Sequence, residues 1–235
     1  RLIWEFSHLH STIGWLALES GSGSYGKATA YRPLIDLLKV YFQIEERDDA
    51  RRMVEKITGK LLTLDKTLEP TLPAILALLD VGVEDPEWQR LHPTQRRSRT
   101  FDACKRLLLR ESQVQPLVLI FEDLHWIDSE TQAFLNSLIE SLPTSRVLLL
   151  VNFLPEYQSS FGSKTYYAQL RIDPLPLESA EELLVGLLGG GEEQRDLRRT
   201  LIQRTEGNPF FLEESVRSLI EAGVLFRRHT ASTRR

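Results

Sequence analysis

The stretch Pro116-Leu117-Val118-Leu119-Ile120-Phe121-Glu122-Asp123 decides the fold class of this sequence. Its apolar run is too short for a helix, and a proline and two acidic residues bound it. Continuous apolar runs of this length are typical of strands that are buried on both faces, at the centre of a parallel sheet. The sequence therefore predicts an α/β fold in which this strand is central and two carboxylates lie at its carboxyl end.

Further strands and a long helical block are predicted around the central strand. The apolar runs at residues 15–19 and 147–151 predict two strands, and alternating hydrophobicity at residues 166–172 predicts another. Residues 30–111 have helical spacing throughout, and helical spacing returns after Pro174. The expected architecture is a parallel sheet with a helical insertion and a C-terminal group of helices.

The segment after the central strand predicts a helix with a clear beginning. Ser129-Glu130-Thr131-Gln132 fits a capping box, in which side chains satisfy the first backbone N–H groups of a helix. An apolar stripe that includes Phe134 and Leu138 follows, and Pro143 ends it. Strand, helix and strand in this order form a βαβ unit, the kind of connection that parallel strands require.

The composition excludes several classes of protein. The 235 residues include 33 acidic and 29 basic side chains, for a net charge of −4, so a nucleic-acid coat protein is not expected. The single cysteine, Cys104, excludes an intramolecular disulfide framework and a cysteine-based zinc site. No apolar run reaches the ~18 residues of a membrane span, and no signal-peptide pattern is found. We expect a cytoplasmic protein without membrane or direct nucleic-acid partners.

Polar residues at the ends of two strands are candidates for chemistry. Glu122 and Asp123 end the central strand, at the edge where open α/β sheets bind ligands, and Asn152 follows the next strand. One carboxylate can hold Mg²⁺ while the other polarises a water molecule, and an amide can orient that water or a phosphate. A solvated acidic turn and a strand-end turn residue fit the same spacing, so both interpretations stay open at this point.

Two longer motifs make a family recognisable. The stretches Phe121-Glu122-Asp123-Leu124-His125-Trp126-Ile127-Asp128 and Glu206-Gly207-Asn208-Pro209-Phe210-Phe211-Leu212-Glu213-Glu214 resemble the AAA-type, STAND-like ATPase module. In bacteria that module is commonly found between class III adenylate/guanylate cyclase domains and TPR-like helical repeats. The resemblance runs from Arg1 to about Phe226. It implies a partial P-loop NTPase sheet, a regulatory ATPase that uses ATP and Mg²⁺, and flanking cyclase and TPR-like domains as partners, with the oligomeric state left open.

The resemblance also implies roles and boundaries. Glu122 and Asp123 match the catalytic Walker B pair, with Glu122 as the Mg²⁺ ligand, directly or through water, and Asn152 matches the nucleotide-binding sensor-1 position. Gly207-Asn208-Pro209 matches the GxP motif, whose proline packs near the adenine. The implied domains are an ATPase core at residues 1–175 with the helical insertion at about residues 30–111, a helical lid at residues 176–226 and a disordered basic tail at residues 227–235.

The same resemblance bears on the start of the sequence. It puts Arg1 just after the Walker A loop, so we expect a fragment that lacks the first strand and this phosphate-binding loop. Because that loop supplies the backbone N–H groups and the lysine that hold phosphates, we expect ATP binding by this chain to be weak or absent. Gly21-Ser22-Gly23-Ser24-Tyr25-Gly26-Lys27-Ala28-Thr29 is a rival for the loop. Against it, Ala28 lacks the hydroxyl that binds Mg²⁺, and Pro33 would fall inside the helix that such a loop opens.

Two departures from the family pattern leave other functions open. Glu122 stands where Asp is usual, and Leu154 stands where many STAND-like ATPases have an arginine. Both departures favour a non-hydrolysing interaction scaffold as an alternative. A second alternative is an ATP-dependent transcription activator, in which the module is joined to a DNA-binding domain, and only flanking sequence can distinguish it.

Overall fold

The computed structural model describes residues 2–7, 14–21, 29–157 and 161–223. Contacts between residues divide the chain into two units, Arg1–Tyr167 and Ala168–Arg235. The predictions for Arg1, for the glycine-rich segment at residues 22–28 and for the tail at residues 227–235 lie outside the described residues.

The first unit combines a parallel sheet with helices that precede, interrupt and follow it. Its strands are β1 (Leu16–Gly21), β2 (Leu117–Glu122) and β3 (Val147–Val151). Its α-helices are α1 (Leu2–Ser7), α2 (Arg32–Phe42), α3 (Ala50–Leu64), α4 (Leu72–Leu78), α5 (Pro86–Arg90), α6 (Pro93–Val114) and α7 (Ser129–Ile139). Short 3-10 helices lie at Lys66–Thr71, Leu124–Trp126 and Leu142–Thr144. No helix in the described part of the chain has the length and apolar character needed to cross a lipid bilayer.

The sheet confirms the predicted α/β fold with β2 at its centre. All pairs are parallel in the order β1-β2-β3, with Leu16 opposite Leu117 and Leu117 opposite Val147. The five residues Leu117 to Phe121 are all buried, as expected for a strand with neighbours on both sides. The parallel register brings the carboxyl ends of the three strands to one edge of the sheet.

A block of helices connects β1 to its neighbour β2. Helices α2 to α6 lie between these strands in the sequence, as the helical spacing of residues 30–111 predicts. Their apolar stripes form one core with the sheet, and the thiol-bearing Cys104 is fully buried in it. Within this block, Pro70 lies in a 3-10 helix, and the α-helix α4 begins only after it, at Leu72.

The beginning of α7 differs from the predicted capping box. The N-cap residue is Asp128, whose Oδ1 accepts the N–H groups of Glu130 (3.0 Å) and Thr131 (2.9 Å), whereas Ser129 is already inside the helix. The same oxygen also accepts the N–H of Tyr31 (3.0 Å), just before α2. A buried aspartate therefore starts α7 and joins it to the beginning of α2, and sequence spacing alone does not reveal this long-range contact.

Residues around Tyr31 strengthen that junction. The Tyr31 hydroxyl donates to Glu130 (2.7 Å), which also accepts Arg97 of α6 at 2.6 Å. The Arg97 guanidinium lies over the ring of Phe101, 4.6 Å from its centroid. Burial, followed by the hydrogen bond to Glu130, raises the pKa of Tyr31, so the hydroxyl stays a proton donor at neutral pH. These contacts join the beginnings of α2 and α7 to α6.

The predicted strand at residues 166–172 is wrong. The structure has neither strand nor helix there, and Leu170 and Ile172 are 89% and 74% exposed. Alternation predicts a strand with one buried face, but a strand also needs a partner for its backbone hydrogen bonds. The described sheet gives this segment no partner.

In residues 168–223, the part that the structure describes, the second unit has three α-helices around a small core. They are α8 (Leu177–Leu188), α9 (Arg195–Thr205) and α10 (Pro209–Glu221), with a 3-10 turn at Glu192–Gln194. The core side chains are Ala180, Leu184, Leu188, Leu201, Ile202, Leu212 and Val216. Arg198, only 5% exposed, donates to the carbonyls of Gly189 (3.0 Å) and Gly191 (3.1 Å) and so holds the glycine-rich connection between α8 and α9.

Candidate functional site

The two predicted carboxylates lie at the carboxyl end of β2. Glu122 is the last residue of the strand, opposite Gly21 of β1, and its side chain is half-buried. Asp123 is the next residue, and its side chain is exposed. In the described part of the chain neither carboxylate forms an ion pair.

Asn152 contacts this turn from the neighbouring strand. It directly follows β3, and its Oδ1 accepts the backbone N–H of Asp123 at 2.6 Å. Its own backbone takes part as well, because its carbonyl accepts Leu124 N–H (3.0 Å) and its N–H donates to the carbonyl of Phe121 (3.3 Å). The structure therefore brings Asn152 and Asp123 into direct contact.

Asp123 has an unusual backbone conformation. Its φ of 56° and ψ of 47° lie in the left-handed region, which non-glycine residues seldom adopt and aspartate tolerates better than most. Its carbonyl accepts the N–H of Trp126 at 2.8 Å, which closes the 3-10 turn Leu124–Trp126. The chain thus turns sharply after β2 while the carboxylate stays at the sheet edge.

The other predicted site residues form the turn between α9 and α10 in the second unit. Gly207 has a φ of +77°, and an added Cβ would lie 2.6 Å from the carbonyl oxygen of Leu175. The N–H of Leu175 donates to the Gly207 carbonyl at 2.9 Å. Asn208 is the N-cap of α10 and accepts Phe210 N–H at 3.0 Å, and Pro209 is the first residue of that helix. In this structure Gly207, Asn208 and Pro209 build and anchor the turn.

Comparison with known proteins identifies the family of the first unit. The family model described as AAA ATPase domain matches residues 1–151. This chain belongs to the AAA ATPase domain family. The match includes all three strands, Glu122 and Asp123, and it ends one residue before Asn152. No curated protein and no solved structure matches the chain.

The donor set of this AAA ATPase domain fits a magnesium ion. Carboxylate oxygens are the protein ligands that Mg²⁺ prefers, and Glu122 and Asp123 supply them at the sheet edge. The described residues contain no group of three or more His, Cys, Asp and Glu side chains that could enclose a metal. A cation held at Glu122 would therefore take its remaining ligands from water or phosphate oxygens, which is the usual environment of Mg²⁺.

Two further polar residues near Glu122 and Asp123 were not predicted as site residues from the sequence. Ser20, 3% exposed, stands opposite Phe121, one position before the pair Gly21 and Glu122, and its hydroxyl oxygen is buried with no hydrogen-bond partner among the described residues. Nδ1 of His125, in the turn after Asp123, is likewise buried with no hydrogen-bond partner among the described residues. The available signal was a polar residue directly after a predicted apolar run, because Ser20 follows the run at residues 15–19.

Proposed function

We propose that, in the intact protein, this AAA ATPase domain binds and hydrolyses ATP with Mg²⁺ and serves as the regulatory module of a larger bacterial signalling protein. The observation that carries the proposal is the pair Glu122 and Asp123, without ion-pair partners among the described residues, at the carboxyl edge of a family-matched parallel sheet. Asn152 supports it, because its hydrogen bond to the Asp123 backbone puts an amide beside that pair.

Each site residue has a chemical task in this proposal. Glu122 would hold Mg²⁺ through its carboxylate, directly or through water, and the ion would supply positive charge to the phosphates. The Asp123 carboxylate accepts a hydrogen bond from a water molecule and orients it toward the terminal phosphate. The side-chain NH₂ of Asn152 donates to that water or to a phosphate oxygen.

The regulatory part of the proposal concerns the second unit and the neighbouring domains. By resemblance, Gly207-Asn208-Pro209 contributes to the adenine site, and opening or closing of the α8–α10 lid reports the nucleotide state to flanking cyclase and TPR-like domains. Slow hydrolysis then acts as a timer. Reading the coding sequence on both sides tests this part: a class III cyclase domain upstream supports it, and a C-terminal DNA-binding domain overturns it.

ATP turnover by the full-length polypeptide tests the chemical part. We expect Asp123→Asn to lower kcat by about 10²–10⁴-fold with little change in ATP affinity, because the amide no longer polarises water. Asp102→Asn is the matched control, since this exposed carboxylate lies in the helical insertion on α6 and should leave turnover unchanged. Equal turnover in the wild type and Asp123→Asn would show that this carboxylate does not take part in hydrolysis.

A non-hydrolysing scaffold is the second candidate, and Leu154 is the observation that favours it. Leu154 is 52% exposed and lies two residues after Asn152, where the resemblance leads us to expect an arginine. An apolar side chain there supplies no charge to a phosphate. In the scaffold case ATP binding persists and turnover is absent from both the wild type and Asp123→Asn.

A further inference from the structure

The contact between Asn152 and Asp123 fixes the orientation of the Asn152 amide. A backbone N–H can only donate, so the side-chain atom 2.6 Å from the Asp123 nitrogen must be the carbonyl oxygen. The two residues are 29 positions apart in the sequence, so this is a contact between strands and differs from the local turns that asparagine usually makes with its own segment. The NH₂ group of Asn152 is engaged by no described residue.

Asp123, whose N–H donates this hydrogen bond, has a backbone conformation that needs support from its surroundings. Asp123 is one of the few described non-glycine residues with a positive φ, and a conformation of this kind persists only where its surroundings enforce it. The flanking backbone hydrogen bonds, Asn152 N–H to Phe121 and Leu124 N–H to the Asn152 carbonyl, enclose Asp123 on both sides. The Asn152 side chain completes this set at the residue between them.

We propose that Asn152 is a positioning residue that acts through the backbone of Asp123. Its side-chain oxygen holds Asp123 in the left-handed conformation, which sets the direction in which the Asp123 carboxylate leaves the sheet edge. This inference rests on the proposed function for its catalytic meaning, but the hydrogen bond itself can be tested without nucleotide. In this proposal the two ends of the Asn152 amide have different roles. The oxygen accepts the Asp123 N–H, and the NH₂ group donates to water or to a phosphate oxygen.

Amide hydrogen exchange of the 235-residue chain without nucleotide tests the role of the oxygen. Asn152→Leu removes the acceptor, and we expect exchange at Asp123 N–H to accelerate about tenfold, the value of a typical hydrogen bond. Asn152→Asp keeps an acceptor oxygen and loses the NH₂, so it should keep exchange at Asp123 close to that of the wild type. Exchange at Val118, inside the β2 ladder, is the internal control and should not change.

Two outcomes would overturn the assignment. The first is unchanged exchange at Asp123 in Asn152→Leu. The second is equal acceleration at Asp123 and Val118, which would mean that Asn152 stabilises the sheet as a whole. An absence of turnover in the wild type would instead refute the proposed function and leave the exchange result valid.

A stability cycle provides the second measurement. Glycine adopts a positive φ without strain, so Asp123→Gly should remove the need for the contact. We expect Asn152→Leu to lower Tm by about 2–4 °C in the Asp123→Asn background and by clearly less in the Asp123→Gly background. Equal shifts in the two backgrounds would contradict a role through the Asp123 backbone.

In an active full-length polypeptide, steady-state kinetics add a catalytic readout. In Asn152→Leu a misdirected Asp123 carboxylate weakens the orientation of water, and the lost NH₂ removes one contact to water or to a phosphate oxygen, while the other nucleotide contacts stay in place. We therefore expect Asn152→Leu to lower kcat by about tenfold or more, with KM for ATP within about threefold of the wild type. A rise in KM with unchanged kcat would overturn the positioning role.

Discussion

At the scale of single residues, Gly207 has the tightest steric constraint of the described glycines. Its φ of +77° disfavours any side chain, and an added Cβ would lie 2.6 Å from the Leu175 carbonyl oxygen. That oxygen belongs to backbone, so the contact cannot be relieved by a side-chain rotation. The packing of the turn thus requires Gly207, independently of any role of the Gly207-Asn208-Pro209 motif in nucleotide binding.

We predict that Gly207→Ala destabilises the second unit by about 1–3 kcal/mol, through backbone strain and the close contact. Urea unfolding followed by circular dichroism measures this effect. Gly186→Ala is the matched control, because Gly186 lies within α8 and its added Cβ would contact nothing within 4 Å. We expect this control variant to raise the free energy of unfolding by about 0.5–1 kcal/mol, since alanine is more favourable than glycine inside a helix. Equal effects of the two substitutions would contradict the constraint.

Asp65 is one described residue that makes stability depend on acid pH. A hydrogen bond from Arg110 (2.7 Å), followed by one from Thr67 N–H (2.9 Å), lowers the pKa of Asp65 to about 2. The usual value is about 3.9, so the stabilising contribution is complete above that pH and is lost as the pH falls toward about 2.

We therefore predict that Asp65→Asn lowers Tm near neutral pH and that its difference from the wild type shrinks between about pH 4 and pH 2. Thermal unfolding over a pH series measures this difference. Asp102→Asn is the control, since its carboxylate is exposed and 3.8 Å from Arg106, so it should have little effect at any pH. A constant difference down to pH 2 would mean that Asp65 has no depressed pKa.

At the scale of elements, Asp128 does more than a typical N-cap. Besides two N–H groups of α7, its carboxylate accepts the N–H of Tyr31 and the hydroxyl of Thr131, and the residue is 5% exposed. Asp49, the N-cap of α3, is exposed and accepts one N–H, from Arg52 at 2.8 Å. Asp128 and Asp49 therefore allow a comparison between an N-cap that makes a long-range contact and an N-cap that makes a local one.

We predict that Asp49→Ala lowers the free energy of unfolding by about 1 kcal/mol. Asp128→Ala should lower it by roughly 2–4 kcal/mol, because this substitution leaves buried donors without an acceptor. Chemical unfolding of both variants gives these values. Similar losses for the two would show that the contact with Tyr31 does not contribute to stability.

The elements themselves were largely predictable, and the exception is instructive. The continuous apolar runs predicted both β2 and β3. Burial on both faces explains the run in β2, whereas β3 is only partly buried, with Leu148 36% exposed. Alternation at residues 166–172 did not give a strand, since the pattern records which side chains are apolar and says nothing about a hydrogen-bonding partner. The N-cap of α7 was misplaced by one residue, because Asp128 and Ser129 are both good caps and only geometry decides between them.

For the candidate site, topology was predictable and atomic contacts were not. Parallel strands 4.7–4.9 Å apart put their carboxyl ends at one edge, so the proximity of Asn152 to Asp123 followed from strand order. The left-handed backbone of Asp123 and the direction of the Asn152 amide depend on single dihedral angles. The close approach of Gly207 to Leu175 likewise joins segments that no local pattern relates.

At the scale of the whole molecule, the segment at the start of the second unit is the expected site of proteolysis. Residues 168–176 contain neither helix nor strand, and the side chain of Arg171 is 86% exposed. We predict that limited trypsin digestion cuts after Arg171 and produces a fragment that begins at Ile172, because proteases need an accessible, unstructured backbone. Mass spectrometry of the early products identifies this cut.

Arg198 is the internal control for the digestion, since it is buried in α9 and bonded to two carbonyls. It should remain uncut while the second unit is folded. The Arg171→Gln variant should lose the early product without other change. Simultaneous cleavage after Arg171 and Arg198 would indicate that the second unit is unfolded under the assay conditions.

The helical block between β1 and β2 has a consequence for how the chain folds during its synthesis. Leu16 and Leu117 are ladder partners about a hundred residues apart, and closing so long a loop delays the pairing. At a synthesis rate of ~5–20 residues per second, β1 waits about 5–20 s for β2 to emerge from the ribosome. Helix α2 follows β1 and packs against it, so it is available to cover the strand during this interval. We therefore expect α2 to be an early folding partner for β1, whose neighbour β2 is synthesised much later.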